Sequence, residues 1–312
     1  MTLPIEGTIM PEDIASKENT RVGFIGIGNM GNPMAGHLVK AGWKVSVYDT
    51  DPEKVRGFTS AHGGSKAASL AELAKTSDVV ITMLPDGHIV RRVALGKSPA
   101  EDSLVKGLAK RAVIIDMSSS APVGTRELGK DLEKHQVSLL DAPVSGGVRG
   151  AVAATLAIMV GGDKALAERF DPLLSAMGKR FYVGSLGSGH AAKVLNNYVS
   201  AAGLAAAAEA VLVAERFGIE PQTLIDVINA STGRNNSTEN KFAQFILNGK
   251  FNSGFALGLM AKDLTLAMEV ADALEVPAEL GHATLELWRK AEKAVGATAD
   301  HTEIARFVNS QS

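Results

Sequence analysis

Apolar and polar positions change their rhythm once along the chain. From Arg21 to about Gly184, short runs rich in β-branched residues alternate with stretches of helical period. The runs are RVGFIGIG, WKVSVYD, DVVITMLP, AVIIDMS and QVSLLDAP. Near-continuous apolar runs of this length are the mark of parallel strands covered by helices on both faces. Between them NMGNPMAGHLVKAG, DPEKVRGF, LAELAKTS, GHIVRRVAL and PVGTRELGKDLEKH read as helices, with Gly, Asp-Pro and Ser at the junctions. TLAIMVGG and KRFYVGS add one or two further strands. Strand–helix alternation predicts an α/β domain, a doubly wound parallel sheet spanning 21–186.

After Gly187 the strand signal stops. AAKVLNNYVSAAGLAAAAEAVLVAERFG reads as one long, largely buried helix, and PQTLIDVINAS, ENKFAQFILNG, KDLTLAMEVADAL and ELGHATLELWRKAEKAV follow as further helices. Residues 187–312 are thus expected to form an all-α domain joined through the long interdomain helix. Alanines on several faces of that helix predict close helix packing, including that of a homodimer or homotetramer through this domain. Polar or charged residues interrupt every apolar run, so no membrane span is expected. Residues 1–20 mix Pro, Gly and acids and read as a loose extension, without the features of a signal or transit peptide. A soluble, cytoplasmic protein is the expectation.

Composition narrows the chemistry. Apolar residues make up 46% and charged residues 21%, and the formal net charge is -2. No basic block points to nucleic acid. Cysteine is absent, which excludes disulfides, thiolate catalysis and Cys-bound metals. The seven histidines are scattered, so no metal site is expected.

Gly26-Ile27-Gly28-Asn29-Met30-Gly31 fits G-x-G-x-x-G. The motif is weak alone, but here it ends a strand and opens a helix, the Rossmann-type context in which it binds a dinucleotide. Gly26 would make the tight turn, Gly28 would admit the pyrophosphate, and Gly31 would let helix pack on strand; the helix N-terminus favours phosphate. KVSVYD ends at Asp49, where an acid binds ribose hydroxyls. Asp49 and Asp51 would repel a 2′-phosphate, and no Arg follows until Arg56, so the expected cofactor is NAD. Asp49 also reads as a helix N-cap before DPEKV, and Asp51 is an equally good cap. Met83, Leu84 and Pro85 end another strand and would line the cofactor cleft. Ser119 would reach the nicotinamide end, and at least one of Ser118 to Ser120 is expected to cap the helix near Pro122.

In DAPVSGG, Ser145, Gly146 and Gly147 offer a hydroxyl and two backbone N–H groups, a cradle for a carboxylate, or else a tight turn into RGAVAATL. Lys193 and Asn197 are four apart on the long helix and share one face, roughly 6 Å apart along its axis. A lysine with its ordinary pKa of about 10.4 is a poor base at neutral pH. Partial burial would lower that value and let it exchange a proton with a substrate hydroxyl. Asn197 can orient ammonium and hydroxyl, while Asn196 points elsewhere and is expected to secure neighbouring backbone. On spacing alone, a snorkelling lysine explains Lys193 as well.

Four blocks taken together, GFIGIGNMGNPMA, DAPVSGGVRGA, GSGHAAKVLNN and FALGLMAKDLTLA, resemble the β-hydroxyacid dehydrogenase family from about Val22 to the C-terminal region. The resemblance implies reversible, NAD-dependent oxidation of a small β-hydroxy acid to its semialdehyde. It implies Lys193 as general acid/base with Asn197 as partner, and Ser145, Gly146 and Gly147 on the substrate carboxylate. It also implies that Lys262 approaches the cofactor and that Asp263 secures its segment; a solvated Lys–Asp helix start is the plainer reading of that pair. Reduction of tartronate semialdehyde or a related, including sulfonated, semialdehyde is the alternative. A non-catalytic NAD-binding sensor is a further one, which an intact Lys/Asn pair and Ser-Gly-Gly loop disfavour. The pattern Lys193-Val194-Leu195-Asn196-Asn197 departs from the Lys-x-x-His-Asn of 6-phosphogluconate dehydrogenases, and imine-reducing relatives typically replace the lysine. Ala154-Thr155-Leu156 stands where the family usually has Gly-Thr-Leu, and only a packing change is expected from it. Arg149 and Arg234 are expected on the surface, with extra anion contacts as the alternative.

Overall fold

The computed structural model describes residues 14–311, so most of the expected N-terminal extension lies outside them. Of residues 14–20, Ala15 is buried in the core and donates its N–H to Arg169 O. The chain divides into two compact units, Met1–Lys193 and Val194–Ser312. The division falls inside the long helix rather than at the expected 186/187.

The first unit is built on one sheet. Its strands are β1 (Arg21–Ile25), β2 (Lys44–Tyr48), β3 (Ser65–Lys66), β4 (Val79–Thr82), β5 (Val113–Asp116), β6 (Ser138–Asp141), β7 (Val144–Ser145), β8 (Leu156–Gly161) and β9 (Gly178–Gly184). They lie in the order β3-β2-β1-β4-β5-β6-β8-β7, with β9 paired to β8. The first six are mutually parallel, as the apolar runs predict. β8 runs antiparallel to β6 and β7 and parallel to β9. β3 carries no apolar signal because both its residues are exposed.

Strand periodicity explains how the core is shared. Val79 and Ile81 of β4, and Val113 and Ile115 of β5, join the cluster on one face of the sheet with Phe24, Met34 and Phe58. Val80 and Ile114 point the other way, into the cluster holding Leu73, Leu104 and Leu132. Helices Gly31–Lys40, Pro52–His62, Leu70–Lys75, Gly87–Leu95 and Pro122–Glu133 follow the strands as predicted. Asp51, Ser69 and Asp86 cap three of them with side-chain oxygens. The helix from Pro122 differs: its N-cap is Ala121, with no side-chain cap, so none of Ser118 to Ser120 has the capping role expected.

The second unit contains no strand among the described residues. Its core joins Val194, Ala201, Leu204, Ala208 and Val211 of the long helix Ser188–Phe217 to Phe242, Leu264 and Trp288. Helices Pro221–Asn229, Leu257–Ala273 and Glu279–Val295 match the predicted pattern. ENKFAQFILNG is not one helix. A short helix, Asn236–Asn240, starts on a capping box formed by Asn235 and Thr238, and Phe242–Ile246 then widens into a π-helical turn. The long helix is long and apolar enough to cross a membrane by length and composition, contrary to expectation. Its buried stripe makes it the core helix of this unit, a role that passes the same test.

A buried polar cluster closes the helical core. Asp300 accepts hydrogen bonds from Ser253 Oγ, Gly254 N and Thr302 N and Oγ1. Burial works against its charge, but these donors, Thr302 first, hold its carboxyl below the usual range. Burial and the nearby Lys241 ammonium push His301 down to about 4, so its contact with Asp300 is not an ion pair at neutral pH. Burial lowers Lys241 itself to about 8.

Candidate active site

The glycine turn is shaped by what its neighbours leave no room for. β1 ends in Gly26, whose φ of +95° suits glycine and whose imagined Cβ would lie 2.2 Å from Met83 O. A Cβ on Gly31 would lie 1.8 Å from Gly26 O, so the helix can begin against the strand only with glycine there. Gly28 is different: nothing lies within 4 Å of its imagined Cβ. Protein packing does not require that glycine, whereas a closely approaching pyrophosphate does, so the turn fits a dinucleotide. Ile27 is buried, Met30 half-buried and Asn29 exposed. A cleft of about 600 Å³ beside the turn is lined by Gly28 and Asn29 together with Lys40, Lys54 and His62, and no acid lines it.

Asp49 sits at the end of β2 and braces this turn. Its Oδ2 accepts from Ile27 N at 2.8 Å and its Oδ1 from Asp51 N at 2.9 Å. The two readings of the acids are thereby separated: Asp51 is the helix cap, through Glu53 N, and Asp49 belongs to the glycine turn. The neighbouring strand ends keep step with it. Met83 N donates to Ile25 O, and Leu84 N donates to Ser118 Oγ at 2.9 Å. Met83, Leu84 and Ser119 are half-buried, and Pro85 is exposed.

Ser145 owes its place to β7, where it pairs with Ala157 while Val144 pairs with Ile158. Gly146 at φ +131° and Gly147 at φ +60° then turn the chain into the helix Gly147–Ala153. The glycines thus make a tight turn into RGAVAATL, whose first residues are helical. Ser145 is half-buried and both glycines are exposed. Ala154 caps this helix at φ +54°, in the left-handed region. The change from the family's glycine is thus one of backbone strain, not merely of packing. Arg149 and Arg234 are exposed, the latter with Nε 3.7 Å from Glu239 Oε1.

The start of the long helix is held by groups that motif reading passed over. β5 and β6 end in register at Asp116 and Asp141, both buried. Asp116 accepts from Thr82 Oγ1, Ser118 N and Ser120 Oγ. Asp141 accepts from Gly187 N and His190 N, both at 2.8 Å. His190 has Nδ1 2.9 Å from Thr125 Oγ1 and Nε2 3.1 Å from Ser118 O. The available signal was an aspartate closing each of two apolar runs, VIID and SLLD, and a histidine heading an apolar helix. Lys193, one turn on, is half-buried.

In the helical unit Asn197 is buried and its Nδ2 donates to Asp263 Oδ2 at 2.6 Å. Asp263 is 2% exposed and lies inside the helix Leu257–Ala273, which overturns the solvated helix start. Its Oδ1 lacks a hydrogen bond and faces Lys262 Nζ at 3.9 Å. Asn196 does not secure backbone as expected; it is exposed and donates Nδ2 to Asn197 Oδ1 at 3.1 Å. Asn197 is thus an amide with a fixed orientation.

Residues 21–187 match the family described as the NAD binding domain of 6-phosphogluconate dehydrogenase. Residues 187–308 match the one described as NAD-binding of NADP-dependent 3-hydroxyisobutyrate dehydrogenase. A 2-(hydroxymethyl)glutarate dehydrogenase of Eubacterium barkeri is 38% identical over 262 residues, 84% of this chain and 85% of its own. The 3-sulfolactaldehyde reductase of Escherichia coli K12 is 34% identical over 288 residues, 92% of this chain and 95% of its own. Among solved structures, a Mycobacterium tuberculosis 3-hydroxyisobutyrate dehydrogenase with L-serine superposes with a TM-score of 0.84 at 38% identity, covering 93% of this chain and 99% of that one.

Proposed function

The chain belongs to the β-hydroxyacid dehydrogenase family, and on that premise we propose that it oxidises a small β-hydroxy acid, of the 3-hydroxyisobutyrate kind, reversibly to the semialdehyde with NAD. It is an oxidoreductase that uses a nicotinamide dinucleotide. The preference for NAD over NADP rests on Asp49, whose carboxylate at the glycine turn would repel a 2′-phosphate.

The bound dinucleotide supplies the hydride acceptor. Gly28, Asn29 and Met30 would offer backbone N–H groups to its pyrophosphate at the helix start, while Gly26 and Ile27, whose N–H groups go to Tyr48 O and Asp49 Oδ2, would shape the turn around it. Asp49 would take its ribose, and Met83, Leu84, Pro85 and Ser119 would line its cleft. Ser145, Gly146 and Gly147 would hold the substrate carboxylate through one hydroxyl and two N–H donors. Lys193 would take the hydroxyl proton as hydride leaves the same carbon, and Asn197 would orient the hydroxyl. In the reverse direction Lys193 returns that proton, so reduction of a semialdehyde, sulfonated or not, uses the same groups in the same roles. Lys262 keeps the cofactor role that the resemblance gives it.

The observation that carries this reading is the pair itself: Lys193 one helical turn before an Asn197 that Asp263 holds in one orientation. A surface lysine would need no such buried amide. Supporting a homodimer or homotetramer through the helical unit, Val199, Val213 and Phe217 leave an apolar stripe on the long helix, Phe217 being 84% exposed. A soluble, cytoplasmic location remains part of this proposal, on the sequence expectation alone.

Replacing Lys193 by Ala tests the mechanism. Turnover should fall by about 1,000-fold or more, while the dissociation constant for NAD, measured by direct titration, stays within about 3-fold. Turnover near the wild-type rate would refute the assignment.

A further inference from the structure

Three segments of the α/β unit converge on His190, which has no exposed surface. They are the loop after β5 through Ser118, the helix Pro122–Glu133 through Thr125, and the end of β6 through Asp141. Ser118 O can only accept, so Nε2 carries a proton and donates to it, while Nδ1 shares the Thr125 hydroxyl. The backbone N–H groups of His190 and Gly187 both donate to Asp141. Gly189, between them, admits no side chain: a Cβ would lie 2.2 Å from Met159 O and 2.8 Å from Asp141 Oδ2. Side chain and backbone together therefore clamp the first helical turn to the sheet edge.

That clamp continues into the strand-end loops. Ser118, which receives the His190 proton on its carbonyl, also receives Leu84 N–H on its hydroxyl oxygen. One hydrogen-bonded path thus joins Leu84, a residue of the proposed cofactor cleft, to His190. Lys193 follows three residues later, about 4.5 Å along the axis and on an adjoining position of the same face.

We propose that His190 is a positioning residue for the reaction, setting the height and rotation of the Lys193 turn relative to the loops that hold the dinucleotide. The proposal rests on the reading of Lys193 as acid/base. An imidazole suits the task because both nitrogens of one rigid ring meet partners on different segments, Thr125 Oγ1 and Ser118 O. A group that acts only through geometry changes the chemical step more than it changes binding.

The test compares His190→Leu, His190→Gln and Thr125→Val with the wild type and with Lys193→Ala. His190→Leu should lower kcat about 10- to 100-fold while KM for acid and dinucleotide stays within about 3-fold. The deuterium isotope effect on kcat, from substrate labelled at the carbinol carbon, should rise as hydride transfer becomes limiting. His190→Gln keeps a donor and an acceptor and should recover to within about 3-fold of wild type. Thr125→Val removes only the hydroxyl and should lower kcat about 3- to 10-fold, and it carries the test if His190→Leu does not fold. Wild-type kcat in His190→Leu, or in Thr125→Val in its place, overturns the proposal. So does a loss confined to KM, or no rescue by Gln. Lys193→Ala separates the two claims: if it is inactive while His190→Leu is normal, only the positioning role fails. If Lys193→Ala is active, the underlying reading fails.

Discussion

In the α/β unit, buried Asp116 and Asp141 take backbone N–H groups as well as hydroxyls: Ser118 N just past β5, and Gly187 N and His190 N at the start of the long helix. In the helical unit, buried Asp263 meets one amide with one oxygen and leaves the other without a hydrogen bond. The contrast follows from what each architecture offers. Parallel strands in register end together, so their loops present N–H groups at regular spacing, and a cofactor cradle can be made of backbone. Helix interiors spend their backbone groups on one another, so Asp263, inside the helix Leu257–Ala273, is met by a side chain. The first unit should therefore be sensitive to added Cβ atoms, and the second to the charge state of buried side chains.

Gly31→Ala gives the largest expected effect. Its Cβ collides with Gly26 O, so stability should fall on the order of 3–5 kcal/mol and NAD binding with it. Gly28→Ala sharpens the contrast, because no protein atom opposes its Cβ. It should leave the melting temperature within about 2 °C of wild type and still weaken NAD binding about 10-fold or more, read by calorimetry and titration on the same samples. Equal melting losses in both variants would break the account of the turn.

The helical unit should instead respond to acid. His301 has a folded pKa of about 4 against an ordinary 6.5, so the unfolded chain takes up its proton first as pH falls. The neutral histidine's full contribution is present above about pH 6.5 and is lost as pH drops toward 4, on the order of 2–3 kcal/mol. Denaturant melts of wild type and His301→Gln across that window should differ in slope, the variant being flatter. Parallel slopes would remove His301 as the cause.

Ala154→Gly is the smallest change. Glycine accepts φ +54° without the Cβ penalty, so stability should rise by about 0.5–1 kcal/mol with no change in KM. A destabilised variant would show that the alanine methyl packs usefully.

The same contrast explains what could be read from the chain. Continuous apolar runs announced β1, β2, β4, β5 and β6, and the glycine motif was meaningful because it followed such a run. β3 and β7, two residues each, carry too little pattern to be seen. Helical spacing placed Lys193 and Asn197 on one face, but not Asp263, since a contact between positions 197 and 263 leaves no local periodic trace. His190 was hidden for the same reason: its partners come from Ser118 and Thr125. ENKFAQFILNG hid its break because the helix starts earlier, at the Asn235 cap, and ends at Asn240, inside a run whose spacing looks continuous.

The central claim is oxidation of a small β-hydroxy acid with NAD. Its most direct test is a panel of such acids, with α-hydroxy acids of equal size as controls, offered with NAD and with NADP and followed at the nicotinamide absorbance band. NAD-linked oxidation confined to one or more β-hydroxy acids is the predicted result. Turnover of the α-hydroxy controls alone, or none with any β-hydroxy acid, would contradict the account, and a clear preference for NADP would overturn the role given to Asp49.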